Sequence, residues 1–337
     1  MSGDKDHVVP TLPITLSFPP SLDPATAKFT SISNVLDGVR EYDHGGLVNP
    51  HLQQDAARTL PRRSRPPLRQ LDRDSARRLR IAWQTELSAR VNDQFDDDLL
   101  RRVAAQTLPV QAYYAVFNAA RAATAVRGSA CETHAAVHRD YQTQRARWGY
   151  RSWGVVLSGD PEDTNVCALS PAIAVPAAFN LMERSHKPEE YVFAALRMTR
   201  RWKVEHARDD WLRTSRTSAG VPYRRLPNGK RAELVGALRP TTMLDFVYEL
   251  RVRTNYEGIE EYGSDADNTT VYQFHRGLLH VTDLGLLHYE MDLARCVGLN
   301  AYEAVVDEWV RTTARAGAWA RETVQRRRSA IVQALTP

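Results

Sequence analysis

Apolar residues recur at helical spacing along most of this chain. The first clear stripe repeats every four residues: Leu79, Trp83, Leu87 and Val91. It predicts a helix from about Asp72 to Val91. Three carboxylates at 96–98 suit the N-terminus of a second helix, whose apolar pattern continues to Val126. Pro109 lies inside this pattern and predicts a kink or a division into two helices.

The last third of the chain has the same helical rhythm. Two threonines open the range 241–253 and can cap a helix there. Asp267 suits the start of a long helix that reaches Cys296. The pattern over 302–328 predicts one final helix.

The middle of the chain, 149–240, breaks this rhythm. Two short β-like runs, 153–157 and 166–169, surround a turn rich in Gly, Asp and Pro at 159–163. This arrangement predicts a β-hairpin. Pro188 then suits the first turn of another helix. We therefore expect a small α+β insertion within a mainly α protein.

Prolines dominate the first 70 residues, and arginines join them toward the end of that stretch. We interpret 1–70 as an extended N-terminal arm and linker, and we expect 49–70 to be exposed and weakly structured. The remaining units are the first part of a helical bundle at 71–148, the insertion at 149–240 and the second part of the bundle at 241–337.

Composition excludes several classes of protein. The chain of 337 residues has a formal net charge of +5, which is too mild to indicate nucleic-acid binding alone. No apolar run reaches the ~20 residues that a membrane helix needs, and the N-terminus lacks the layout of a signal peptide. Three widely spaced cysteines form no CxxC pair. We expect a cytoplasmic protein without metal or other cofactor.

The run 112–123 is the most informative segment of the chain. One helical face carries Tyr113, Val116, Phe117 and Ala120. The phenol groups of Tyr113 and Tyr114 need hydrogen-bond partners if they are buried. The run resembles the second helix of HEPN-domain proteins, in which the string YYAxFxAAR is typical.

The resemblance continues beyond this helix. His134 follows a short loop, as a His does in the family, and 250–256 resembles the late helix of HEPN proteins. The resemblance implies a mainly α, HEPN-like bundle and a homodimer. It implies binding of RNA, a nucleotide or a protein partner in a polar cleft between helices, in stress or phage-conflict biology. The implied binding residues are Tyr113, Tyr114, Arg121, Arg251, Asn255 and Tyr256.

A metal-independent ribonuclease is the alternative, because active family members use an Arg followed by four to six residues and a His. Six residues separate Arg127 from His134, which fits this spacing, whereas three separate Arg276 from His280. The His could transfer protons and the Arg could hold the scissile phosphate. However, Asn255 stands where the late helix would carry the catalytic His, and an amide cannot transfer protons at neutral pH. This favours binding over cleavage. A further alternative is an unrelated helical structural or interaction protein.

Overall fold

The computed structural model describes residues 23–43, 71–95, 97–129, 131–148, 151–163, 167–170, 181–182, 187–256, 266–313 and 317–336. These residues are mainly helical, as the sequence predicts. The helices are α1 (Pro24–Tyr42), α2 (Arg73–Arg90), α3 (Asp98–Val126), α4 (His134–Trp148), α5 (Arg151–Gly154), α6 (Pro188–Thr214), α7 (Lys230–Ala237), α8 (Met243–Tyr256), α9 (Asn268–Val297), α10 (Leu299–Thr312) and α11 (Trp319–Leu335). The strands are β1 (Val156–Ser158), β2 (Ala168–Ser170) and β3 (Thr241–Thr242).

The centre of the bundle is formed by α3 and α9, with α2 packed against α3. Buried alanines line α3 on both sides of Pro109, so neighbouring helices can approach it closely. Gly285 on α9 also permits a close approach, because the Trp153 ring occupies the space that a Cβ would need: the two would lie only 2.5 Å apart. The structure has one continuous helix through Pro109, so the alternative of two separate helices is wrong. The buried residues of α3 before and after Pro109 stabilise the helix by more than the loss of the one backbone hydrogen bond that proline cannot make.

The N-terminal segment departs from the predicted extended arm. Helix α1 begins after Asp23, whose carboxylate accepts hydrogen bonds from the backbone of Ala25 and Thr26. Its buried face packs against α6 and α9 and consists of Phe29, Ile32, Val35, Leu36 and Val39. The arm prediction is therefore wrong over 24–42, where apolar spacing matters more than the nearby prolines. The prediction of an exposed stretch at 49–70 lies outside the described residues.

The predicted hairpin is confirmed, although the first two residues of its first run, 153–154, belong to α5. Strand β1 pairs antiparallel with β2, with Leu157 opposite Leu169, and also with β3, so the strand order is β2-β1-β3. The helix predicted from Pro188 is confirmed as α6, and it packs against α1 and α8. Residues of the predicted insertion thus share the core of the bundle.

The C-terminal end contains two helices, α10 and α11, where one was predicted. Gly317, with φ +97°, precedes α11 and adopts a backbone conformation that disfavours other residues. The described helices include none that is both long and apolar enough to cross a lipid bilayer.

A buried charge network joins α2, α9 and α11. The Arg327 guanidinium donates to both oxygens of Glu86, at 2.8 and 2.6 Å, to Asp283 at 2.7 Å and to Glu290 at 2.9 Å. Trp83 also donates to Glu290. Arg327 is thus an internal crosslink between helices, and the carboxylates around it compensate its charge.

Candidate functional site

The helices that resemble the family strings pack side by side, as predicted: α3 contacts α8. Helix α3 contributes Tyr113 and Tyr114, and α4 begins at His134 and carries His138 one turn later. Together with side chains of α6, β3 and α8, these groups form a cluster that we call the tyrosine–histidine site. Its other members are Lys203, Thr242, Asp245, Tyr248 and Arg251.

The Tyr113 hydroxyl lies between two imidazoles. Its oxygen is 2.8 Å from Nδ1 of His134 and 3.3 Å from Nε2 of His138. A phenol has one proton to donate and can also accept, so it can bridge both rings at once. Burial, followed by the neighbouring Tyr248, raises the pKa of Tyr113, and the bridging phenol therefore stays protonated.

Asp245 fixes the orientation of His138. The His138 Nδ1 lies 2.8 Å from its carboxylate, and the Lys203 ammonium lies 3.5 Å from it. The backbone N–H and hydroxyl of Thr242 each donate to the same carboxylate at 2.8 Å. Burial alone would raise the pKa of Asp245, but the hydrogen bond from His138 and the charge of Lys203 outweigh it and hold this pKa well below its usual value.

These contacts define a chain of hydrogen bonds when both imidazoles are neutral. The ionised Asp245 requires a proton on Nδ1 of His138, so its Nε2 accepts from Tyr113. The Tyr113 oxygen then accepts from Nδ1 of His134, which leaves Nε2 of His134 as a free acceptor. Burial and then the charge of Arg251 lower the pKa of His134, so this half-buried ring is neutral at pH 7. His134 can therefore accept a proton.

Arg251 provides a cation with no carboxylate partner among the described residues. Its Nη2 donates to the Tyr114 hydroxyl at 3.0 Å. The guanidinium carbon lies 5.4 to 5.9 Å from the ring centroids of Tyr113, Tyr114 and Tyr248. Nε of Arg251 is buried and makes no hydrogen bond. Aromatic faces hold this charge in place without neutralising it, so it remains available to an anion.

The structure brings together four of the residues singled out by sequence: Tyr113, Tyr114, His134 and Arg251. Arg121 lies at the edge of the site, because its guanidinium is paired with Glu132 and lies 5.7 Å from the ring centroid of Phe117.

Asn255 is exposed one turn beyond Arg251 on α8. Tyr256 is the last residue of α8, and its side chain is not among those that the structure describes.

The remaining candidate residues from the sequence make contacts outside the tyrosine–histidine site. Arg127 forms ion pairs with Asp140 and Asp292, both of which are largely buried. Although its spacing from His134 fits the ribonuclease pattern, its guanidinium is held between these two carboxylates.

The second Arg–His pair lies on α9. Arg276 is exposed above the Tyr272 ring, with 5.2 Å between its guanidinium carbon and the ring centroid. His280 Nε2 lies 3.5 Å from the Asp43 carboxylate, at the end of α1.

Sequence reasoning missed His138, Asp245, Tyr248 and Lys203. The i,i+4 spacing of His134 and His138 could have indicated two imidazoles on one face of a helix. Asp245, Tyr248 and Arg251 likewise recur every three residues on α8. No local signal could identify Lys203, because α6 approaches the site only in the folded protein.

Comparison of the chain with protein-family models, with characterised proteins and with solved structures finds no match. The HEPN resemblance therefore rests on the short strings and stays a prediction.

Proposed function

We propose that this protein binds a phosphate-bearing ligand of the RNA or nucleotide class at the tyrosine–histidine site. The observation that carries the proposal is the uncompensated guanidinium of Arg251, held by three tyrosine rings beside a neutral His134. The resemblance to HEPN proteins extends the proposal to a homodimer that acts in stress or phage conflict.

The chemistry of the site suits such a ligand. A guanidinium offers a planar set of donors that matches two phosphate oxygens. The half-exposed rings of Tyr114 and Tyr248 offer faces on which a base can stack.

Titration of the protein with a fluorescent RNA dinucleotide tests this proposal. Arg251→Gln should weaken binding by at least about tenfold, because one charge-assisted hydrogen bond contributes about 1.5–3 kcal/mol. Arg276→Gln is the matched control, since Arg276 also lies over a tyrosine ring but outside the site. Equal effects of the two substitutions, or none from Arg251→Gln, would refute the assignment.

Metal-independent RNA cleavage is the second candidate, and the Tyr113 bridge between His134 and His138 favours it. In this reaction Nε2 of His134 takes the proton of a ribose 2′-hydroxyl, whose oxygen attacks the adjacent phosphorus while Arg251 holds the phosphate. The P–O5′ bond breaks, and the 5′-oxygen leaves with a proton from water, which gives a 2′,3′-cyclic phosphate.

Cleavage assays in EDTA test the second candidate. Activity should be lost in His134→Ala and retained in His280→Ala, because His134 belongs to the tyrosine–histidine site, whereas His280 lies beside Asp43 at the end of α1. Cleavage that survives His134→Ala would remove His134 from the reaction, and an inactive wild-type protein that binds RNA would leave binding as the function.

A further inference from the structure

Aromatic rings continue from the tyrosine–histidine site along α6. The Trp202 ring centroid lies 6.4 Å from that of Tyr248, and the His206 ring lies one turn further along, 4.2 Å from Trp202. Trp202 is half-buried and His206 is exposed. The exposed side of α6 thus presents ring faces beyond the site itself.

The last turn of α6, the loop that follows it and the first residue of α7 form a segment of defined shape, which we call the basic loop (211–230). The backbone of Arg216 bridges to Pro222, and the Thr217 N–H donates to the Val221 carbonyl at 2.8 Å. At its base, the rings of Trp211 and Tyr223 pack with centroids 4.9 Å apart. These contacts fix the direction in which the loop projects.

The basic loop carries five basic residues and no acidic residue. Two of these cations, Arg213 and Lys230, pair with carboxylates just outside the loop. The other three, Arg216, Arg224 and Arg225, are exposed and have no carboxylate partner in the part of the chain that the structure describes. Arg216 instead donates to carbonyls of its own loop, at 2.8 and 2.9 Å.

Three uncompensated guanidinium groups, on a loop whose base carries the half-exposed rings of Trp211 and Tyr223, match the backbone and bases of single-stranded nucleic acid. Lys203, at the site, and Thr214, at the start of the loop, are eleven residues apart on α6, which corresponds to about 16 Å. One nucleotide cannot contact both places, whereas a longer strand can.

We propose that the basic loop is a second contact for single-stranded RNA, which extends from the tyrosine–histidine site over Trp202 and His206 to Arg216, Arg224 and Arg225. This inference rests on the proposed function for the identity of the ligand. It predicts that affinity increases with strand length, because a dinucleotide fills the site alone and a 20-nucleotide strand also reaches the loop.

The test compares binding of a dinucleotide and of a 20-nucleotide single strand over a range of salt concentrations. The loop variant combines Arg216→Gln, Arg224→Gln and Arg225→Gln. The matched control removes three exposed arginines from other helices: Arg77, Arg311 and Arg326. The loop variant should bind the 20-mer at least about tenfold more weakly at low salt. The slope of log K against log salt concentration should also become shallower by about 2, because each of three lost phosphate contacts contributes about 0.7 to this slope.

The outcomes separate this inference from the proposed function. Unchanged dinucleotide binding, with the loss confined to the 20-mer, is the expected result. If the loop and control variants weaken the 20-mer equally, the loop contact is refuted while the site can still bind the dinucleotide. If the 20-mer depends on the loop but Arg251→Gln has no effect on either ligand, the site fails and the loop contact stands. A loop that binds vesicles of acidic phospholipid, and not RNA, also refutes the inference.

Discussion

Replacing Asp245 by Asn removes the charge that holds the tyrosine–histidine site together. The amide keeps the size of the side chain but places an NH₂ group among donors: Nδ1 of His138, the Lys203 ammonium and the N–H of Thr242. Among the described residues, no other carboxylate pairs with the Lys203 ammonium, whose side chain is only 17% exposed. One substitution thus affects α4, α6 and the first turn of α8.

The magnitude follows from these contacts. Removing one partner of a buried ion pair costs about 3–5 kcal/mol. The side chains of Lys203 and His138, which are the partners of Asp245, are 17% and 12% exposed. We therefore expect a loss at the lower end of this range, about 3 kcal/mol in the free energy of unfolding. The second substitution Lys203→Met should recover part of this loss, because it removes the stranded ammonium.

Urea denaturation at several pH values measures the effect. The folded-state pKa of Asp245 is depressed, so its stabilising contribution is complete above the unfolded pKa of about 3.9 and is lost as the pH falls further. The difference between wild type and Asp245→Asn should therefore be full at pH 7 and smaller at pH 3. A difference that is the same at both pH values, or a double variant in which the two losses simply add, would refute the reasoning.

Three further predictions concern packing, the buried network and the site. Gly277→Ala should lower the free energy of unfolding by about 1–3 kcal/mol, because its Cβ would lie 2.8 Å from the α1 backbone. Gly236→Ala is the control in thermal melts, since a Cβ at this position meets nothing within 4 Å. Equal stability of the two variants would contradict this packing. Arg327→Met should destabilise the protein by at least about 3 kcal/mol in urea melts. That loss should be smaller at pH 5 than at pH 8, because Glu290, whose pKa burial raises, can then take up a proton, whereas Glu86 and Asp283 keep their ion pairs with Arg90. A loss independent of pH would argue against a buried network. Arg251→Gln should raise the pKa of His134, which the Arg251 charge lowers, and an NMR titration that finds no change would place the two groups apart.

The sequence predicted the parts of the fold that depend on local periodicity. The helices at 72–91 and 98–126, the hairpin and the contact between α3 and α8 all follow from spacing and from the family strings. Helix α1 was not predicted, because we took the prolines before it as a sign of extended structure and did not use its clear apolar spacing.

The candidate site was predictable only in part. Tyr113, Tyr114, His134 and Arg251 belong to recognisable strings, so sequence could place them together. The partners of Arg127 could not be predicted, because Asp140 and Asp292 reach it through tertiary packing. Lys203 and Asp245 are joined in the same way across 42 positions of the chain, and charged residues on a helix usually face water.

The central position of α9 has a consequence for how the protein is made. This helix contacts α1 and α3, yet it begins at residue 268 of 337. The Ser33 hydroxyl, for example, donates to the Thr270 carbonyl across 237 positions. During synthesis from the N-terminus, most of the chain is made before α9 exists to cover the apolar faces of α1 and α3. Contacts this distant slow folding, and unburied apolar faces favour aggregation. Shortened chains that stop before α9 should therefore depend on chaperones for solubility more than the 337-residue chain does.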